Sequence, residues 1–138
     1  MITKKAAIKK LKTPSMSKLK KKLWDVFSLY IRTRDNFTCF TCGKSKEKNP
    51  DTVFQAGHLF SRIKTAVCYA EMNVFCQCAF CNFKHQSDPD IYRDKFIAVY
   101  GPEQFVALKA KRNAICKRSK NDIEMLTIYY KQKLKEIQ

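Results

Sequence analysis

Apolar residues recur with a 3.6-residue period at Leu19, Leu23, Val26, Phe27, Tyr30 and Ile31, with lysines and other polar residues between them. This spacing predicts an amphipathic helix with one buried face. Ser15 or Ser17 supplies its N-cap, and the Asp35-Asn36 turn signal stops it near Arg34. From there to Cys81 the helical period is absent. Thr52 to Leu59 and Asn73 to Gln77 read as two short strands, joined by a glycine-free loop of basic and small residues. Helices return afterwards. Asp88 and Pro89 form a cap and first-turn pair, Gly101 closes that helix, and Pro102 opens the next with Phe105, Leu108 and Ile115 on one face. A third begins near Asn121 and uses Ile123, Leu126, Tyr130, Leu134 and Ile137. The order is helix, small cysteine-tied β centre, then helices. That makes a single α+β domain, as 138 residues would suggest.

Charge narrows the partners. Lys and Arg number 28 against 12 acids, a net +16, which points to a polyanion: nucleic acid, or an anionic membrane surface. Residues 1–22 hold nine lysines and no acid, so residues 1–14 read as a basic flexible arm ahead of a folded unit spanning 15–138. Candidate phosphate contacts are Lys20, Lys21 and Lys22 in the first helix, and Arg62 and Lys64 between the strands. Lys111 and Arg112 follow later, within a flat basic face formed with Lys109, Lys117, Arg118 and Lys120. The longest apolar stretches fall far short of the ~20 residues of a membrane-spanning helix, and no signal peptide precedes the fold. An integral membrane protein is excluded, and secretion is disfavoured.

Seven cysteines, an odd number without a secretory signal, argue against a disulfide framework and leave a metal site, buried thiols, or both. Cys39-Phe-Thr-Cys42 and Cys78-Ala-Phe-Cys81 are two C-x2-C pairs, 35 residues apart. Each such turn offers two corners of a tetrahedron, so the two together predict one structural tetrathiolate zinc with no open position for a substrate. Cys68, Cys76 and Cys116 are left as small buried apolar residues. Cys76 also shares a strand face with Cys78 and is an alternative ligand.

Only two histidines are present, His58 at the end of the first strand and His85 just past the second knuckle. A knuckle, a strand ending in Gly57-His58, Asn73 opening a second strand, and a second knuckle followed at once by Asn82 form a connected pattern. It resembles the HNH, or ββα-metal, nuclease motif in its zinc-knuckle form. Most closely it resembles the phage NinG/Rap recombination endonucleases. Matching segments run from Tyr30-Ile31-Arg32-Thr33-Arg34-Asp35 through Ala56-Gly57-His58, Asn73-Val74 and Gln77-Cys78-x2-Cys81-Asn82. They continue to Tyr92, Tyr100-Gly101 and Tyr130 to Lys135.

The resemblance implies a zinc-tied β-hairpin plus helix, flanked by an N-terminal helix and C-terminal helices. It implies a DNA endonuclease acting on branched recombination intermediates (D-loops, Holliday junctions) in the cytoplasm of a bacterial host. His58 would be the general base, and Asn82 would ligate a catalytic Mg²⁺ or Mn²⁺. Asn73 would fix the loop that orients the base, and Arg62 is a candidate phosphate clamp. Gln55 stands where the family commonly has Asp, which makes it a neutral candidate ligand. His85-Gln86-Ser87-Asp88 replaces a usual Gly-Asn pair, which leaves His85 open as a second ligand. A homodimer stays open too. The alternative readings are a non-catalytic, zinc-stabilised nucleic-acid-binding module, or an interaction protein that docks an acidic partner.

Overall fold

The computed structural model describes residues 13–138, so the proposed basic arm lies outside them apart from Thr13 and Pro14. Helix α1 spans Met16–Arg34, with the Ser15 hydroxyl accepting the Lys18 N–H at 3.3 Å as its N-cap. Leu19, Leu23, Phe27, Tyr30 and Ile31 form its buried stripe, as the period requires. Strands β1 (Phe54–His58) and β2 (Val74–Cys78) pair antiparallel, with Phe54 opposite Cys78 and His58 opposite Val74. Both are offset from the sequence expectation. Asn73 does not open β2 but sits in a 3-10 turn, Glu71–Asn73, with its N–H donating to the Ala70 carbonyl (2.9 Å) and its side chain holding the loop.

Helix α2 (Ala79–Lys84) follows β2 directly, completing a ββα unit. Helix α3 (Asp90–Tyr100) begins with Pro89 in the N-cap position and no side-chain cap, so Asp88 is not the cap. The Asp88 N–H instead donates to the Lys84 carbonyl and closes the turn after α2. Tyr92 of α3 is wholly buried, and its hydroxyl accepts the Phe75 N–H (3.1 Å) and donates to the Gly57 carbonyl (2.8 Å). Gly57 and Phe75 face each other in the hairpin, so a helix side chain is inserted into the strand ladder.

Helix α4 (Pro102–Arg112) is shorter than its apolar pattern suggested. It buries Leu108, but Ile115 lies beyond its end and is 87% exposed. Residues 113–119 instead run back toward the loop between the strands, where the Cys116 N–H meets Thr65 Oγ1 at 3.2 Å and Arg118 reaches the Thr65 carbonyl at 2.7 Å. Cys116 is therefore half-exposed, not a core thiol, whereas Cys68 and Cys76 are buried as expected. Helix α5 (Lys120–Ile137) starts with a Ser119/Asp122 capping box. It buries Ile123, Thr127 and Tyr130, half-buries Leu126 and Leu134, and leaves Ile137 exposed.

Three apolar clusters surround the hairpin. The first joins α1 and α5 to Ala56 and Val74. The second packs Leu59, Val67 and Phe75 under Tyr92, Phe96 and Leu108. The third is Phe54 with Cys39, Cys76 and Cys78. Glu71 ties the outer helices to the turn before β2, taking the Tyr30 hydroxyl and the Lys133 ammonium (3.0 Å). No helix of the described residues is long and apolar enough to cross a membrane.

Candidate metal centre and active site

The two knuckles meet at the Cys78 end of the hairpin. The sulfurs of Cys39, Cys42, Cys78 and Cys81 all lie within 4.8 Å of one another, and Cys42 Sγ is 3.8 Å from Cys78 Sγ. A tetrahedron with Zn–S bonds of ~2.3 Å has edges of about 3.8 Å, so the spacing suits a zinc ion and is too wide for a disulfide. The knuckles are built alike: Cys42 N–H points at Cys39 Sγ (3.5 Å), and Cys81 N–H at Cys78 Sγ (3.4 Å). Gly43, at φ 77°, supplies the left-handed turn after the first. Burial pushes the Cys42 and Cys81 thiols up. At Cys39 burial acts the same way but is outweighed by backbone N–H groups of Cys42, Cys78 and Thr41, and the net direction is down. Cys76 stands outside the cluster and so is not a ligand. Burial, then the nearby Asp35 carboxylate, pushes its thiol up to about 12.

His58 sits at the opposite end of β1, on a cleft of about 760 Å³ that Gln55, Arg62, Asn82, His85, Trp24 and Arg32 help to line. Its Nε2 is 2.8 Å from the Cys68 carbonyl. A carbonyl only accepts, so Nε2 carries the proton and Nδ1 keeps a lone pair. Burial lowers the His58 pKa below its ordinary 6.5, and the Arg62 charge adds to this against the opposing Cys68 hydrogen bond. The ring stacks on Trp24 at 5.3 Å and 19°, and the Arg62 guanidinium lies over the same indole at 4.8 Å. Trp24 was missed by sequence reasoning. As the chain's one tryptophan, at the edge of the apolar stripe of α1, it was the available signal.

Asn73 is wholly buried and clips the loop that holds His58. Its Nδ2 donates to the Phe60 (2.9 Å) and Val67 (3.0 Å) carbonyls, and its Oδ1 accepts the Phe60 N–H (2.8 Å). Val67 immediately precedes the Cys68 carbonyl that orients the imidazole. Asn82 lies inside α2 and does not cap it, since Cys78 Sγ takes that role. Its Nδ2 donates to Gln55 Oε1 at 2.8 Å. His85 ends α2, with Nε2 against the Leu59 carbonyl (2.8 Å) and a buried Nδ1 that has no partner among the described residues.

The basic residues divide. Lys20, Lys21, Arg62 and Trp24 share a recess of about 480 Å³, and Trp24 and Arg62 also line the His58 cleft. Lys109 and Arg112 line a second recess with Leu59, Phe60 and His85. Lys22, Lys64 and Lys111 are exposed and line neither. Of the basic face read from Lys109 to Lys120, α4 carries Lys109, Lys111 and Arg112 and ends there, and Arg118 turns back onto Tyr69 and Thr65.

Over residues 2–138 the chain matches the family described as Bacteriophage Lambda NinG protein. Neither a curated protein nor a solved structure matches it. A match over nearly the whole length shows common descent for the hairpin, its knuckles and its flanking helices together: the chain belongs to the bacteriophage lambda NinG family.

Proposed function

We propose that this chain is a metal-dependent DNA endonuclease that hydrolyses phosphodiester bonds in branched recombination intermediates, with His58 as general base. The observation that carries the reading is the state of His58. A buried carbonyl holds its Nε2–H, which leaves Nδ1 unprotonated, and burial keeps the ring neutral near pH 7. Nδ1 then takes the proton from the attacking water. Asn73, by clipping the loop at Phe60 and Val67, keeps the Cys68 carbonyl where the ring needs it. Arg62, held over Trp24 beside the imidazole, binds a phosphate oxygen.

The four thiols hold a structural zinc. A second, hard divalent ion, Mg²⁺ or Mn²⁺, suits the amide oxygens near Asn82 and Gln55, because oxygen donors select such ions. When bound, it offsets negative charge on the phosphate and the leaving 3′ oxygen. The net charge of +16 supplies the non-specific attraction to DNA. The preference for branched substrates rests on family resemblance.

One observation favours the rival reading of a zinc-stabilised binding module without catalysis: among the described residues no Asp or Glu lines the His58 cleft. Incubating the zinc-loaded protein with linear, flapped and four-way DNA, with and without Mg²⁺ or Mn²⁺, decides between them. Cation-dependent cleavage favouring the branched substrates is expected. Binding without cleavage would leave the rival standing, and equal cleavage of linear and four-way DNA would remove the branch preference.

A further inference from the structure

Gln77 is a polar residue next to the end of β2, opposite Gln55, and it is wholly buried. Its Nε2 donates to Thr41 Oγ1 at 2.8 Å, inside the first zinc knuckle. Its Oε1 is buried and has no hydrogen-bond partner among the described residues. Buried acceptors without a partner are uncommon and ask what fills the vacant direction.

The direction is set by Gly57. A Cβ on that residue would lie 1.9 Å from Gln77 Oε1 and 2.9 Å from Asn82 Oδ1. The missing side chain therefore leaves a notch into which two amide oxygens turn. Both amides have their nitrogens committed elsewhere, Gln77 to Thr41 and Asn82 to Gln55. Two acceptors cannot satisfy each other. A cation is a group that would satisfy both, and neutral oxygen donors select a hard one.

We propose that Gln77 Oε1, together with Asn82 Oδ1, is a ligand of the divalent cation, on the inner side of the notch kept open by Gly57. The proposal rests on the nuclease reading above and deepens it. It moves the second amide ligand from Gln55 to Gln77. Gln55 becomes a positioning residue whose Oε1 holds the Asn82 amide by its nitrogen and so turns Oδ1 inward. It also joins the two metal centres through one side chain, since the amide that offers an oxygen to the cation is anchored by its nitrogen to the zinc knuckle.

The test is Mn²⁺ binding to zinc-loaded protein, read by electron paramagnetic resonance of the free ion, with zinc content measured alongside. Gln77→Glu places a carboxylate at the same point and should tighten Mn²⁺ binding about tenfold, and Gln77→Leu should weaken it about tenfold or more. Gly57→Ala removes no donor yet fills the notch, so it should weaken binding as well. If Gln77→Leu fails to retain zinc, Gln77→Glu and Gly57→Ala still decide. Should Asn82→Ala lose Mn²⁺ while Gln77→Glu and Gly57→Ala bind it like wild type, the Gln77 assignment is overturned and the nuclease reading survives. Failure of the wild-type protein to bind Mn²⁺ at all would overturn both.

Discussion

The hairpin carries a different polar cluster at each end, and the contrast separates holding from reacting. At the Cys78 end four thiols converge within 4.8 Å, two of them deeply buried, with backbone N–H groups aimed at the sulfurs. Every tetrahedral corner is occupied by the protein, so that end ties the segment before β1 to the segment after β2. At the His58 end the donors are neutral amides and two imidazoles, the flanking charges are arginines, and the cleft is open. Such a set leaves room for a phosphate, which brings the negative charge that the neutral donors lack. Closure suits a structural metal, and incompleteness suits a substrate.

The comparison breaks most visibly if zinc is removed. Structural zinc contributes on the order of 10–16 kcal/mol in small domains, comparable to the whole stability of a typical domain at ~5–15 kcal/mol. Stripping the metal with a chelator, or Cys78→Ala, should abolish the cooperative thermal transition seen by circular dichroism. His58→Ala should leave zinc content and melting nearly unchanged but lower cleavage by ~10²–10⁴-fold in single-turnover assays. A variant as active as wild type would take His58 out of the reaction. Asn82→Ala should act through cation affinity, so raising Mn²⁺ restores part of its activity in a metal titration.

Two smaller effects sharpen the picture. Because burial lowers the His58 pKa, the ring is neutral at pH 7 and protonates only as pH falls through a value below 6.5. The cleavage rate should therefore be flat near neutrality and fall on the acid side of that value. Trp24→Ala admits water to the imidazole and relieves the desolvation, so the acid limb should move to higher pH. With two histidines in the chain, an NMR titration of the ring protons resolves the shift directly.

What could be read in the sequence was what local spacing encodes. The stripe on α1, Ser15 as a helix start, and the paired knuckles depend on residues a few positions apart, or on a side-chain type with few alternative uses. Ile115 failed because Cys116 and Arg118 find partners at Thr65, fifty residues earlier, and those bonds draw the chain away from α4. Trp24 beside His58 and Gln77 behind Gly57 are likewise products of packing between distant segments. No periodicity announces them. His58 and Asn82 were identifiable only through their place in a motif, whereas the tautomer of one and the orientation of the other came from the carbonyl of Cys68 and the amide of Gln55.

The Tyr92 hydroxyl between Phe75 and Gly57 has a kinetic consequence. The Phe75 amide proton is held by the Tyr92 hydroxyl of α3, so its free exchange with solvent requires α3 to lift off the hairpin. Its exchange rate would report the opening of α3, while amides bonded across the ladder report the hairpin. If the two rates differ, α3 opens as a separate unit, and each opening briefly frees the Gly57 carbonyl next to His58. In that case the lifetime of the docked helix, and not the geometry of the cleft alone, would set how long the site stays assembled.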